Sequence, residues 1–84
     1  MKLHIGDVVE NHWASLENPH RIGIVTGLGT YHVYMHTPLK GKMSKYSLYR
    51  SEVEHDEEHY KVIGHIDEVK LIKEKLDIIK DGRQ

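Results

Sequence analysis

The stretch Ile5-Gly6-Asp7-Val8-Val9-Glu10-Asn11-His12-Trp13-Ala14-Ser15-Leu16-Glu17-Asn18-Pro19-His20-Arg21-Ile22-Gly23-Ile24-Val25-Thr26 decides the fold. Its two ends are rich in β-branched residues and its middle is polar, with one Trp and an Asn-Pro step. It therefore reads as two short strands joined by a loop of roughly ten residues. A loop this long in a small domain tends to carry function rather than only connect. In the second strand Ile22 and Ile24 alternate with Gly23 and Val25, the period of a strand buried on at least one face.

Working outward, Gly27-Leu28-Gly29 is the expected tight turn, and residues 31–36 form the next strand. Tyr31, Val33 and Met35 should face one way and His32, Tyr34 and His36 the other, the histidines occupying an exposed face. A second turn spans 37–42, where Pro38 excludes a central strand because it has no N–H to donate. Residues 43–48 then alternate Met43, Lys45 and Ser47 against Ser44, Tyr46 and Leu48. A short helical turn or irregular edge follows at 49–53, then an acidic loop, then a last strand at 60–66. Five strands in meander order fit a small barrel over about residues 3–66.

From Asp67 the period changes: Val69, Ile72, Leu76 and Ile79 recur at spacings of three and four among charged residues, with Leu71 and Ile78 widening the stripe. This predicts an amphipathic helix over about 67–81, capped by Asp67 and ended by Gly82. Its stripe should close one mouth of the barrel or dock on a second subunit or target.

The composition limits the chemistry. Eighty-four residues make one domain. Such a chain buries only about 60 to 65% of its unfolded surface, which leaves little room for a deep, walled active site. There is no Cys, hence no disulfide, no thiolate metal site and no thiol nucleophile, and a reducing, cytoplasmic setting is expected. No apolar run follows a basic start, so no export by a classical signal is expected, and no run approaches the roughly 20 apolar residues of a membrane span. Net charge is −1, but residues 1–50 carry six Lys or Arg against three acids, +3, while residues 51–84 carry six against ten, −4. The near-neutral total argues against a general nucleic-acid coat and leaves a local basic face. Eight His would move the charge from −1 to +7 on full protonation. That makes the surface sensitive to mild acid.

Three constellations bear on function. His55-Asp56-Glu57-Glu58-His59 matches His-x-x-Glu-His, and two His four residues apart on a helix can bind zinc. The flanks predict a loop, however, and few residues remain to build a cleft, so a metal-binding role for His55 and His59 is kept only as an alternative. His32 and His36, with Tyr34 between them, share a strand face and form a second possible metal pair or a stacking surface. Trp13, Tyr31, Tyr34, Tyr46 and Tyr49, interleaved with His20, Arg21, Lys40, Lys42, Lys45 and Arg50, form the third. Here planar groups stack and cations meet an anionic partner. The chain has no Phe, so Trp13 and some Tyr are also candidates for the core. Asn18 is equally suited to a turn hydrogen bond ahead of Pro19. No Ser-His-Asp arrangement or phosphate-binding Gly loop is legible.

At Gly6-Asp7-Val8-Val9, Trp13-Ala14, Asn18-Pro19-His20-Arg21 and Val62-Ile63-Gly64-His65-Ile66 the chain resembles small proteins encoded by phages and prophages of Gram-positive bacteria. The order of strands and loop is similar to SH3-like and KOW-type domains. The resemblance implies a cytoplasmic accessory protein of phage infection that modulates a host enzyme or defence system. The expectation is a mainly β, five-stranded SH3-like barrel with a C-terminal helix, non-catalytic and without a cofactor. It should bind a protein through Trp13, Asn18, His20, Arg21, Tyr34, Lys45, Tyr46 and Arg50, with nucleic acid as the alternative ligand and no membrane contact.

Overall fold

The computed structural model describes residues 1–37 and 45–67. The chain is mainly β: strands β1 (Asp7–Asn11), β2 (Ile22–Leu28), β3 (His32–His36), β4 (Lys45–Tyr49) and β5 (Tyr60–His65), with a short helix α1 (Arg50–His55) between β4 and β5. All pairings are antiparallel, in the order β4-β3-β2-β1-β5. The meander expectation holds for β1 to β4 only. β5 crosses to the far side of the sheet and pairs with β1, not with β4. The C-terminal helix expected over 67–81 and the turn at 37–42 lie, beyond Asp67 and Thr37, outside the described residues, as do Met43 and Ser44.

Two bulges set which side chains reach the core. Across β2 and β3, Val25 pairs with Met35 and Gly27 with Tyr34, so Thr26 is an extra residue. Its Oγ1 donates to the Tyr34 carbonyl at 3.3 Å. The insertion shifts the two-residue period by one, which brings Leu28, paired with Val33, to the same face as Val25 and Met35. The sequence places a turn at 27–29, but strand β2 runs through Leu28, and the turn begins at Gly29, whose N–H donates to the His32 carbonyl at 2.8 Å. Tyr31 stays in that turn and is exposed, so β3 starts one residue later than its alternation suggests. In β5 the pairing jumps from Gly64 to Val62 opposite Val8 and Val9, leaving Ile63 as the extra residue.

The core comprises Leu3, Val9, Val25, Val33, Met35, Val53 and Tyr60, with Met1, Leu28, Tyr46 and Leu48 packed around it. Val53 is the one buried residue of α1 and is fully inaccessible. It joins the core cluster, with α1 lying against β3 and β4. Two glycines are required by geometry. Gly6 sits at φ +98°, and a Cβ there would run into the Ile66 carbonyl, whose own N–H donates to Gly6 O at 2.8 Å. At Gly23 a Cβ would collide with the Tyr46 hydroxyl and lie 2.8 Å from Met35 Cε. The second sheet face is not uniformly open. Ile24, paired with Val8 and His36, is 3% exposed, and His36 is 6% exposed. The expectation of an exposed His32–His36 face is therefore corrected at His36, whose Nδ1 lies 3.2 Å from Thr26 Oγ1.

Candidate interaction site

The loop between β1 and β2 is built from its own side chains. Asn11 Oδ1 accepts from the Trp13 N–H at 2.9 Å. Asn18 Oδ1 accepts from the His20 N–H at 2.8 Å and caps a short 3-10 turn, Pro19–Arg21, with Pro19 where a missing N–H costs nothing. Arg21 folds back on the loop. Its Nη1 donates to the Ala14 carbonyl at 2.9 Å and its Nε lies 3.5 Å from Glu10 Oε2. The His12 Nε2 lies 2.7 Å from Glu10 Oε1, and this hydrogen bond, aided by Arg21, holds the Glu10 carboxyl below the usual carboxylate range.

The folded loop then meets the turn after α1. The His12 N–H donates to the His59 carbonyl at 2.7 Å, which extends the β1–β5 ladder by one rung. Trp13 stacks on His59 with ring centroids 3.9 Å apart and planes at 27°. Its indole Nε1–H donates to Asp56 Oδ2 at 2.8 Å. Asp56 also accepts from the His59 backbone N–H at 3.2 Å and lies 2.9 Å from His59 Nδ1. These hydrogen bonds, from His59 first and Trp13 second, hold the Asp56 carboxyl below its ordinary range. Trp13 is nevertheless 63% exposed. It is fixed along one face and one edge and open elsewhere, with Leu16, 81% exposed, in the same loop. A core role for Trp13 is thus excluded.

The other expected contact residues separate into two groups. His20 stacks on Tyr46 at 3.9 Å and 13°, so the end of the loop is anchored to β4. Tyr46 faces the core side opposite Met35, and burial, with Tyr60 nearby, pushes its phenol up to about 12. Tyr34 and Lys45 lie on the opposite face, Tyr34 half exposed over Gly27 and Gly29. Arg50 is committed to the fold: its Nε is paired with Glu54, and its Nη1 donates to the Gly29 carbonyl at 3.0 Å. A single aromatic and basic face therefore does not form, because the period-two alternation sends Tyr34 and Tyr46 to opposite sides.

The metal alternative finds no helical frame, since α1 ends at His55 and residues 57–59 form a turn. Among the described residues no group of three or more His or acidic side chains is arranged to hold a metal ion. An open groove of about 460 Å³ lies beyond the same turn, between Met1, Lys2 and His4 on one side and Glu57, Lys61 and Val62 on the other. No helix among the described residues is long and apolar enough to cross a membrane.

Sequence reasoning missed Asp56 as the partner of Trp13 and the stacking role of His59. The two elements are 43 residues apart, and no local pattern links them. No known protein family matches the chain, and no curated protein or solved structure is similar to it.

Proposed function

We propose that this protein is a non-catalytic binding module that docks a protein partner through Trp13. The observation that carries the reading is the combination of 63% exposure with immobilisation by His59 and Asp56. An exposed aromatic already fixed in place loses little conformational entropy on binding, which is the usual character of an interface anchor. The β5–β1 pairing brings the first and last strands together and leaves β4 and β5 as the edges to be closed. This fits an SH3-like barrel. The resemblance to phage accessory proteins fits a role in the host cytoplasm as a modulator of a host protein. Nucleic-acid binding draws less support, because Arg21 and Arg50 of the basic half are spent on internal contacts.

The test uses a partner captured from host cells, identified, purified and titrated by calorimetry. Trp13→Ala, with an unchanged circular dichroism spectrum, should weaken binding at least about tenfold. Tyr34→Ala, on the other face, should leave it unaltered. Equal affinity for wild type and Trp13→Ala would remove the proposal.

A further inference from the structure

The sign of the charge around Trp13 is opposite to the one its place in the sequence suggests. Trp13 belongs to the half of the chain with the basic excess, yet the fold lays its loop on the 56–59 turn. The two segments joined in this way, 11–20 and 56–59, contain Glu17, Asp56, Glu57 and Glu58 and no Lys or Arg. The adjoining Arg21 is matched by Glu10, and Glu57 faces the Met1 amino group at 2.8 Å. Glu17 and Glu58 are exposed and make no ion pair among the described residues. His12, His20 and His59, the remaining titratable groups there, are engaged by Glu10, by Tyr46, and by Asp56 and Trp13.

We infer that the partner presents a basic segment, with a Lys or Arg side chain laid on the open face of the Trp13 indole amid the carboxylates of Glu17 and the 56–58 turn. Two independent features lead there. An indole face attracts a cation within about 6 Å of its centroid and is the best aromatic for doing so. The surrounding charge is negative on balance: Glu57 meets the Met1 amino group and Lys61, but Glu17 and Glu58 form no ion pair among the described residues, and the excess steers a basic segment in and repels an acidic one. Arg suits the site better than Lys, because a guanidinium stacks on the ring while its fork bridges a carboxylate.

This inference rests on the docking reading above, and its test separates the two. Trp13 is the only Trp in the chain, so its emission reports the site directly. Three synthetic peptides of equal length, one alternating Arg with Gly and Ser, one alternating Glu with the same residues and one neutral, are titrated against the whole protein. The Arg peptide should change Trp13 emission saturably and lose about tenfold in affinity between low salt and about 0.5 M salt, as screening predicts. The Glu and neutral peptides should have no effect. No response to the Arg peptide, or equal binding of the neutral one, overturns the inference. The second measurement uses the captured partner with the charge-reversed pair Glu17→Lys and Glu58→Lys, which alters only exposed side chains. A loss of at least about tenfold supports a basic partner segment. Unchanged affinity, with Trp13→Ala still disruptive, refutes the basic segment and leaves the docking site standing. If Trp13→Ala has no effect either, the docking site itself is refuted.

Discussion

Asp56 is a small residue with a large share of the local structure. It caps the turn after α1 through the His59 N–H, pairs with the His59 imidazole and receives the Trp13 indole N–H. All three hydrogen bonds favour the ionised carboxylate, so its folded value is depressed below that of the unfolded chain. The linkage has one sign: the stabilisation is present at neutral pH and is lost as the pH falls below about 4, through the folded value. Asp56→Asn should therefore lower the melting temperature at pH 7, and the gap from wild type should close as both are acidified. Thermal unfolding followed between pH 7 and 2.5 reads this, and a gap that persists unchanged in acid would show that the carboxylate charge is not the stabilising feature. Gly23 makes a second case at this scale. Its place in Ile22-Gly23-Ile24-Val25 looks like a mere weakening of a strand, yet the Tyr46 hydroxyl occupies the space of a Cβ. Gly23→Ala should cost about 1 to 3 kcal/mol, read as a lower urea midpoint at unchanged slope.

Among the elements, the strands were legible and their endings were not. The alternation in β3 and β4 identifies both strands, because Val33 and Met35, and Tyr46 and Leu48, keep a strict two-residue period toward the core. β2 is different. Its run past Thr26 depends on a bulge, and a bulge breaks the very period by which a strand is read, so Gly27 and Leu28 look like a turn until Tyr34 and Val33 are seen opposite them. The helix α1 is similar. Its six residues hold only one buried apolar side chain, too few to show a helical period, although the Arg50–Glu54 pair and Glu52 in the first turn are the expected aids. Val53 is nevertheless fully buried where α1 lies against β3 and β4. Val53→Ala should cost about 2 kcal/mol by the cavity it leaves, more than any change at its exposed neighbours Ser51 and Glu52. Chemical denaturation of the three alanine variants decides it.

Across the whole molecule, the site arises from long-range folding that no window of sequence contains. Among the described residues, segments of the basic half and the acidic half of the chain lie against each other. β5 returns to β1, and the loop bearing Trp13 comes to rest on the acidic turn 56–59. Trp13 was therefore legible as an interfacial candidate, and Asn18 as a turn former, because each announces itself locally. The sign of the surrounding charge and the roles of Asp56 and His59 were not, since they depend on a contact across 43 residues. The internal contacts of Arg50 were hidden for the same reason: its carbonyl acceptor, Gly29, is in another turn. The account as a whole stands on Trp13 being both open to solvent and held still. Time-resolved fluorescence of this single Trp measures both properties in one experiment, acrylamide quenching for access and anisotropy decay for motion. The account predicts efficient quenching together with an anisotropy that decays at the tumbling rate of the whole protein, with a faster nanosecond component appearing only in Asp56→Asn combined with His59→Ala. A Trp13 that is shielded from quencher, or that already reorients freely in the wild-type protein, would contradict it.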